Sequence, residues 1–186
     1  EAAARVWHPN LITALDAAPI GDSFVLVMEY AEGATLSRLL QKEGVPPIRH
    51  ACDWVRQAAL GLHHAHGQGL IHRDVKPSNL LLTEREHVVK VLDLGLARLD
   101  LLGEPSEGDE PITASGVVIG TPDYMSPEQA INPRGADPRS DVYSLGCTLY
   151  HALTGHVPFE APSVEELVAA HVTTAVTPPN QVLPEI

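Results

Sequence analysis

The sequence predicts an α+β fold in which helices dominate and β-structure is confined to short hairpins. Two stretches, residues 48–66 and 140–153, place apolar side chains at the three- and four-residue spacing of amphipathic helices. Two short apolar runs, 80–82 and 88–92, indicate strands joined by the polar turn 83–87. A chain of 186 residues that is 44% hydrophobic can bury one core, which favours a single folded domain over disorder.

The first third of the chain carries a strand signal and a short helix signal. Phe24–Tyr30 is nearly all apolar and β-rich, which predicts a buried strand. Thr35 can accept a hydrogen bond at the start of a short helix, and Gly44 with the prolines after it ends that helix.

The long helix that follows has one apolar stripe and ends at Gly67 and Gly69. Residues at three- and four-residue spacing are expected on its inner face: Ile48, Cys52, Val55, Ala59, Leu62 and His66.

The second half of the chain contains a long aperiodic segment and two further helices. Residues 100–120 have no periodicity and predict a long loop. A helix begins near Ser140, ends at Gly155 and is expected to turn the following residues inward: Val142, Leu145, Leu149 and Leu153. Ser163 and Glu166 form a capping-box pattern that opens the next helix.

Composition and charge indicate which partners and which compartment the protein is expected to have. The formal net charge of -12 disfavours nucleic acid and anionic membranes, since both require a basic surface. No apolar run has the length of about 20 residues that a membrane span needs. Cys52 and Cys147 are expected to be buried free thiols rather than a disulfide. The start lacks a Met and signal-peptide features, so the chain is expected to be the middle of a longer polypeptide.

The candidate chemistry lies in the string His72–Asn79 (HRDVKPSN) and in Asp93-Leu94-Gly95 after the next strand. Phosphoryl transfer needs a carboxylate to accept the proton of an attacking hydroxyl, a cation for the transferred phosphate, and oxygen ligands for Mg²⁺. A tight loop offers Asp74, Lys76 and Asn79 close together, and Asp93 can complete the metal site. Any one of these residues alone would be a solvated charge or a turn former.

The complete string resembles the catalytic loop and the DFG motif of the protein kinase family. The resemblance implies a kinase-like fold with a mainly helical large lobe, short β-hairpins and the last strands of the small lobe. It also implies that Asp74 is the catalytic base, that Lys76 contacts the γ-phosphate, and that Asn79 and Asp93 hold Mg²⁺, with Mn²⁺ as an alternative ion.

The resemblance extends to the nucleotide pocket. Met28-Glu29-Tyr30-Ala31 resembles the gatekeeper and hinge, where backbone groups of Glu29 and Ala31 would bind the adenine edge of ATP. Leu81 would then pack beneath the adenine ring.

Other segments resemble the peptide-docking and framework parts of the family. Gly120–Glu128 (GTPDYMSPE) resembles the substrate-docking loop with Thr121 and the APE motif. Asp141 would brace the catalytic loop by hydrogen bonds. Structural roles are implied for His72, Leu94, Glu128 and Asp141.

The class and its regulation also follow from the resemblance. Lys76 and Thr121 are typical of serine/threonine kinases, and the run from Gly120 to Ala130 looks most like bacterial members. Arg73, before the catalytic Asp, suggests control by phosphorylation of the loop, for which Thr113 and Ser115 are the candidate sites.

The sequence departs from the family pattern in several places. It contains no glycine-rich loop, no strand-three Lys and no partner Glu on a helix before the hinge. Residues 1–30 are therefore expected to be the end of the small lobe and the hinge, and residues 31–186 a large lobe without its last helices. Glu128 would lack its usual Arg partner, Leu94 replaces Phe, and Ser126 replaces Ala; the last two changes are expected to be tolerated.

Three histidines, at 63, 64 and 66, are not expected to bind metal, because neighbouring helical residues point in different directions. They are expected on the helix surface or hydrogen-bonded in the core.

The function expected is transfer of the γ-phosphoryl group of ATP to Ser or Thr of proteins in the cytoplasm, with self-association for autophosphorylation. A non-catalytic pseudokinase or scaffold is disfavoured because Asp74, Lys76, Asn79 and Asp93 are all present. A small-molecule phosphotransferase is disfavoured by the docking loop. The isolated chain is expected to have negligible activity.

Overall fold

The computed structural model describes residues 6–20, 23–94, 122–132 and 135–186. The predicted loop 100–120 lies outside these ranges, as do five residues with predicted roles or motif positions: Gly95, Thr113, Ser115, Gly120 and Thr121.

Five strands and six α-helices lie in the described ranges. The strands are β1 (Ala14–Ile20), β2 (Ser23–Met28), β3 (Gly33–Thr35), β4 (Leu80–Thr83) and β5 (Val89–Val91). The helices are α1 (Leu36–Glu43), α2 (Ile48–Gly67), α3 (Pro127–Ile131), α4 (Pro138–Thr154), α5 (Val164–Thr173) and α6 (Pro179–Val182). The predicted α+β composition, with helices dominant and short strands, is confirmed.

The strands form two small antiparallel sheets. β1 and β2 pair as a hairpin, and β3, β4 and β5 form a sheet in that order. A bridge between Leu11 and Val91 connects the segment before β1 to strand β5. Gly61 of α2 permits this arrangement, because a Cβ there would lie 2.7 Å from the carbonyl oxygen of Asn10.

The main core is packed between α2, α4 and the three-stranded sheet. Its members are Val6, Leu11, Leu36, Ala58, Leu62, Ala65, Leu70, Val75, Leu80, Val89, Val91 and Leu145. The sheet and the loop that precedes β4 both contribute side chains to this cluster, so that loop is packed against the core.

The predicted inner stripe of α2 is wrong in part. Ile48, Cys52 and Ala59 are exposed, whereas Ala51, Ala58 and Ala65 are buried. Both sets have helical spacing, and packing against β5 and α4 selects the face with the small side chains, which allows close approach. The expectation of two buried thiols therefore holds only for Cys147, where burial raises the pKa of the thiol to about 12.

Two further burial predictions are wrong. Val25 and Val27 of β2 are exposed, because among the described residues no layer covers that face of the hairpin. Val142 is 66% exposed, because the polar residues Ser140 and Asp141 take the buried positions in this part of α4; Leu145 and Leu153 are buried as expected.

The helix ends follow the predicted capping chemistry. Thr35 Oγ1 accepts a hydrogen bond from Arg38 N at the start of α1, and Gly44 ends that helix with φ 78°. At the start of α5 only the serine half of the predicted capping box is present: Ser163 Oγ accepts from Glu166 N. A capping box that the sequence analysis did not identify lies at Ser126 and Gln129, where both halves of the motif are present.

Candidate active site

The candidate site is built on the loop between α2 and β4. A single 3₁₀ turn, Pro77–Asn79, leads into β4, and Asn79 N donates to Lys76 O at 2.9 Å. Asp74, Lys76 and Asn79 therefore lie within one short loop, and Val75 of this loop is part of the main core.

Asp141 of α4 fixes the start of this loop. Its carboxylate is fully buried and accepts hydrogen bonds from His72 N at 2.9 Å and Arg73 N at 2.8 Å. The Nε2 atom of His66 lies 2.7 Å from the same carboxylate. A buried carboxylate needs such partners, since an unpaired buried charge is costly. The bracing expected of Asp141 is thus a set of direct contacts to the backbone beside Asp74.

His72 joins the loop to strand β5. Its Nε2 atom lies 2.7 Å from Leu92 O, and its Nδ1 atom accepts from Asp74 N at 3.2 Å. Because a carbonyl can only accept, Nε2 carries the proton and Nδ1 is the acceptor. His72 is 2% exposed, so this tautomer is held inside the protein.

Asp74, Lys76 and Asn79 are in mutual contact. Asp74 Oδ2 lies 2.8 Å from Lys76 Nζ and accepts from Asn79 Nδ2 at 3.0 Å. Asn79 Nδ2 also donates to Asp74 O at 2.8 Å. The Asp74 side chain remains 40% exposed, so a hydroxyl can reach it from solvent.

Asp93 lies next to Asn79 because the backbone of Leu92 is bonded to the catalytic loop. Leu92 N donates to Asn79 O at 2.8 Å, while its carbonyl binds His72. Asp93 itself has φ 57°, a left-handed conformation that is unfavourable for a residue with a side chain. Such conformations occur where the surrounding structure imposes them, and here the strand ends in a turn beside the loop.

The donor set of Asn79 and Asp93 fits a magnesium ion. Both amide hydrogens of Asn79 face Asp74 oxygens, so its amide oxygen is the atom left to serve as a ligand. An amide oxygen and a carboxylate are hard ligands, and Mg²⁺ is commonly bound by one or two protein groups plus substrate phosphates.

The predicted hinge contains a carboxylate that joins three segments. Glu29 Oε1 accepts from Lys90 Nζ at 2.7 Å, from Thr13 N at 3.0 Å and from Thr13 Oγ1 at 3.2 Å. Burial alone would raise the pKa of the Glu29 carboxyl, but the hydrogen bonds from Lys90 and Thr13 outweigh it and hold that pKa below its ordinary value. The sequence analysis did not predict this ion pair.

The other positions of the predicted nucleotide pocket lie on or beside strands β2, β3 and β4. Glu29 N donates to Thr13 O at 2.9 Å, so the carbonyl is the backbone group of Glu29 that could meet an adenine edge. Met28 ends β2 and Ala31 follows before β3. Leu81 is in the middle of β4, paired with Thr35 on one side and Lys90 on the other.

Helix α3 of the predicted docking segment contacts both α4 and the loop that contains Asp74. Glu128 Oε1 accepts from Ser140 Oγ at 2.7 Å, and Leu94 packs against the main core. Burial would raise the pKa of the Glu128 carboxyl, yet the hydrogen bond from Ser140 helps to keep it below its ordinary value. Gln129, which the sequence analysis overlooked, donates from Nε2 to Arg73 O at 2.7 Å. The capping-box pattern Ser-Pro-Glu-Gln was the signal that could have identified it.

The histidines at 63, 64 and 66 have separate surroundings, and within the described ranges no group of three or more His, Cys, Asp or Glu side chains is placed to hold an ion. His66 binds Asp141, His64 stacks on His8 at 5.1 Å, and His63 is exposed. The predicted surface and core roles are confirmed.

Known proteins are similar to this chain in sequence. Residues 1–183 match the family model described as the protein kinase domain. The chain is 40% identical over 185 residues to the serine/threonine-protein kinase PknB of Mycobacterium leprae, an alignment that covers 96% of the chain. It is 38% identical over 191 residues to the serine/threonine-protein kinase pkn3 of Myxococcus xanthus, with 100% of the chain covered.

These relatives are much longer than the chain. The matched part is 28% of PknB and 34% of pkn3. Among the helices that the structure describes, none combines the length and the hydropathy that crossing a bilayer requires.

Proposed function

The chain belongs to the protein kinase family, and from that premise we propose that it is the core of a kinase that transfers the γ-phosphoryl group of ATP to Ser or Thr hydroxyls of proteins. The observation that carries the proposal is the half-exposed carboxylate of Asp74, in contact with Lys76 and Asn79 and adjacent in the fold to Asp93. The names of the relatives support the same class.

The proposed reaction is an in-line displacement. The hydroxyl oxygen of the substrate bonds to the γ-phosphorus, the bond from that phosphorus to the bridging oxygen breaks, and ADP leaves. The Asp74 carboxylate accepts the hydroxyl proton, and Lys76 offsets the charge on the transferred group. Asn79 and Asp93 would hold Mg²⁺, which would supply positive charge beside the phosphate oxygens.

Nucleotide binding is proposed to use the hinge and strand β4. The Glu29 carbonyl and the Ala31 backbone would recognise the adenine edge, with Met28 and Leu81 packed against the ring. The ion pair from Glu29 to Lys90 supports this assignment, because it fixes the hinge relative to the strand that precedes Asp93.

The proposed domain division assigns residues 1–30 to the end of the small lobe and the hinge, and residues 31–186 to a large lobe without its last helices. The sequence has neither a glycine-rich loop nor a strand-three Lys, the groups that hold ATP phosphates in kinases. We therefore propose that the intact kinase supplies these groups from sequence outside this chain, and that its catalytic part acts in the cytoplasm.

The first expected result compares the intact kinase with the isolated chain. With radiolabelled ATP and Mg²⁺, the intact kinase should transfer label to Ser or Thr of a protein substrate, whereas the isolated chain should transfer none above an enzyme-free blank. Phosphoamino-acid analysis identifies the acceptor. Label on tyrosine, or on a small molecule alone, would disprove the proposed class. Rapid transfer by the 186-residue chain would disprove the proposal that ATP-binding groups outside this chain are required.

Control by loop phosphorylation is a second proposal. Arg73 Nε is buried and has no hydrogen-bond partner among the described residues, which supports a place for an added anion near the catalytic loop. A phosphate on Thr113 or Ser115 would add about -1.5 to -2 charge for Arg73 to bind. Such sites are commonly modified by a second copy of the kinase, so we include self-association in the proposal.

Phosphopeptide mapping checks this proposal directly. Active kinase should carry phosphate on Thr113 or Ser115, and the double Ala variant should lose most of its activity while binding ATP normally. Replacing Thr173 by Ala, which removes an exposed hydroxyl at the end of α5, is the control and should have no effect. Active enzyme without phosphate at either site would contradict the proposal.

A further inference from the structure

Ser126 and Gln129 form a small hydrogen-bonded unit at the start of α3. Ser126 is fully buried, and its Oγ atom donates to Gln129 Oε1 at 2.9 Å. Ser126 N donates to the same oxygen at 3.2 Å, and Gln129 N lies 3.4 Å from Ser126 Oγ. The Gln129 amide oxygen is thus occupied by Ser126, which fixes the direction of the amide nitrogen.

The amide nitrogen is directed at the catalytic loop. Gln129 Nε2 donates to Arg73 O at 2.7 Å, across 56 positions of sequence. Arg73 has φ 69°, a left-handed conformation that a residue with a side chain adopts only when its surroundings enforce it. On the other side, Arg73 N donates to Asp141. Both backbone groups of the residue before Asp74 are therefore held, one by α4 and one by α3.

We infer that Gln129, oriented by Ser126, is a positioning residue for the catalytic base and couples the docking segment to the catalytic loop. The inference rests on the proposed function, because it assumes that Asp74 is the base. The carbonyl of Arg73 belongs to the peptide group that also carries Asp74 N. Asp74 N, at the other end of the same peptide group, donates to His72 Nδ1 at 3.2 Å, so Gln129 and His72 together set its rotation. Without Gln129 only the longer contact to His72 remains, and rotation of the peptide moves the Asp74 side chain relative to the substrate hydroxyl.

The covalent chain connects the docking segment to this hydrogen-bonded unit. Ser126 directly follows the turn Pro122–Tyr124 and the buried Met125, so a displacement of the docking segment is transmitted to Ser126 and then to Arg73 through Gln129. Substrate docking and alignment of the base are then linked by one side chain.

The decisive variant in the intact kinase is Gln129→Glu. A carboxylate still accepts from Ser126 N and Oγ, but it cannot donate to Arg73 O. Because misplacement by about 1 Å can cost about 100-fold in rate, we expect kcat at pH 7.5 to fall by about 10- to 100-fold with KM for ATP little changed. The value of kcat is calculated per ATP-binding site, so unfolded protein does not lower it.

The pH profile separates this role from helix capping. Once protonated, the carboxyl group introduced by Gln129→Glu can donate to Arg73 O again, so the ratio of variant to wild-type kcat should rise as the pH falls towards about 5. The charged groups nearby are common to both enzymes and cancel in the ratio: Arg73, Glu128, Asp137 and Asp141. Gln129→Leu, which neither accepts nor donates, should be slow at every pH.

Ser163→Ala is the matched control. It removes an exposed serine cap at the start of α5, the hydrogen bond from Glu166 N to Ser163 Oγ, and kcat should stay within about twofold of the wild type, since a surface cap affects stability alone. A Gln129→Glu or Gln129→Leu enzyme with wild-type kcat per ATP-binding site, or a flat ratio for Gln129→Glu, would overturn the inference. An inactive wild-type kinase would instead overturn the proposed function.

Discussion

Replacing Asp74 by Asn should lower kcat of the intact kinase by about 10²- to 10⁴-fold, the usual contribution of a positioned general base. The amide is nearly the same size as the carboxylate and can still accept from Asn79 or Lys76 through its oxygen, so the loop should keep its shape. It cannot accept the hydroxyl proton. Steady-state kinetics should show the loss in kcat, with KM for ATP almost unchanged, because Asp74 is not a proposed ligand of the nucleotide or the metal.

Asp53→Asn is the control for that experiment. Asp53 is an exposed carboxylate on α2 that pairs with Arg56 at 2.7 Å, so the same chemical change is made away from the loop. Its kcat should match the wild type. An Asp74→Asn enzyme that retains wild-type kcat while binding ATP would remove the basis of the proposed mechanism.

The second large effect is expected at Asp141. In Asp141→Asn, the single amide oxygen replaces a carboxylate that serves His66, His72 N and Arg73 N, and the new amide hydrogens face donors. A buried donor left without an acceptor commonly costs about 1–3 kcal/mol, and several donors share this carboxylate, so we expect the free energy of unfolding to fall by about 3 kcal/mol. Because Arg73 N loses its acceptor, kcat should fall as well.

Urea unfolding of the intact kinase measures the loss of stability, and kcat per ATP-binding site measures the effect on the loop. Asp137→Asn on the same helix is the control. Asp137 is exposed and pairs with Arg139 at 2.7 Å, and Asn is an equally good helix cap, so the change should be under about 1 kcal/mol. Equal stability of the Asp141 and Asp137 variants would show that Asp141 does not brace the loop.

Local features of the fold were predictable because they depend on neighbours in sequence. Thr35, Gly44 and Ser163 act within three or four residues of their partners, and the turn between β4 and β5 is short. The apolar face of α2 was not predictable in detail. Stripes through Cys52 or through Ala51 both have helical spacing, and only packing against β5 and α4 distinguishes them.

The exposure of β2 has a similar explanation. An apolar strand is buried only when a second layer covers it, and the sequence of Phe24–Tyr30 contains no information about that layer. Among the described residues, Val25 and Val27 face no such layer.

The sequence alone predicts a candidate site at Asp74, Lys76, Asn79 and Asp93, because these groups are close along the chain or follow a short hairpin, and the structure places the first three in contact. The tertiary structure alone decided which distant groups support them. Arg73 meets Asp141 across 68 positions and Gln129 across 56, and Glu29 meets Lys90 across 61. Linear spacing cannot specify such contacts, since they form only when packing of the core brings separate helices and strands together.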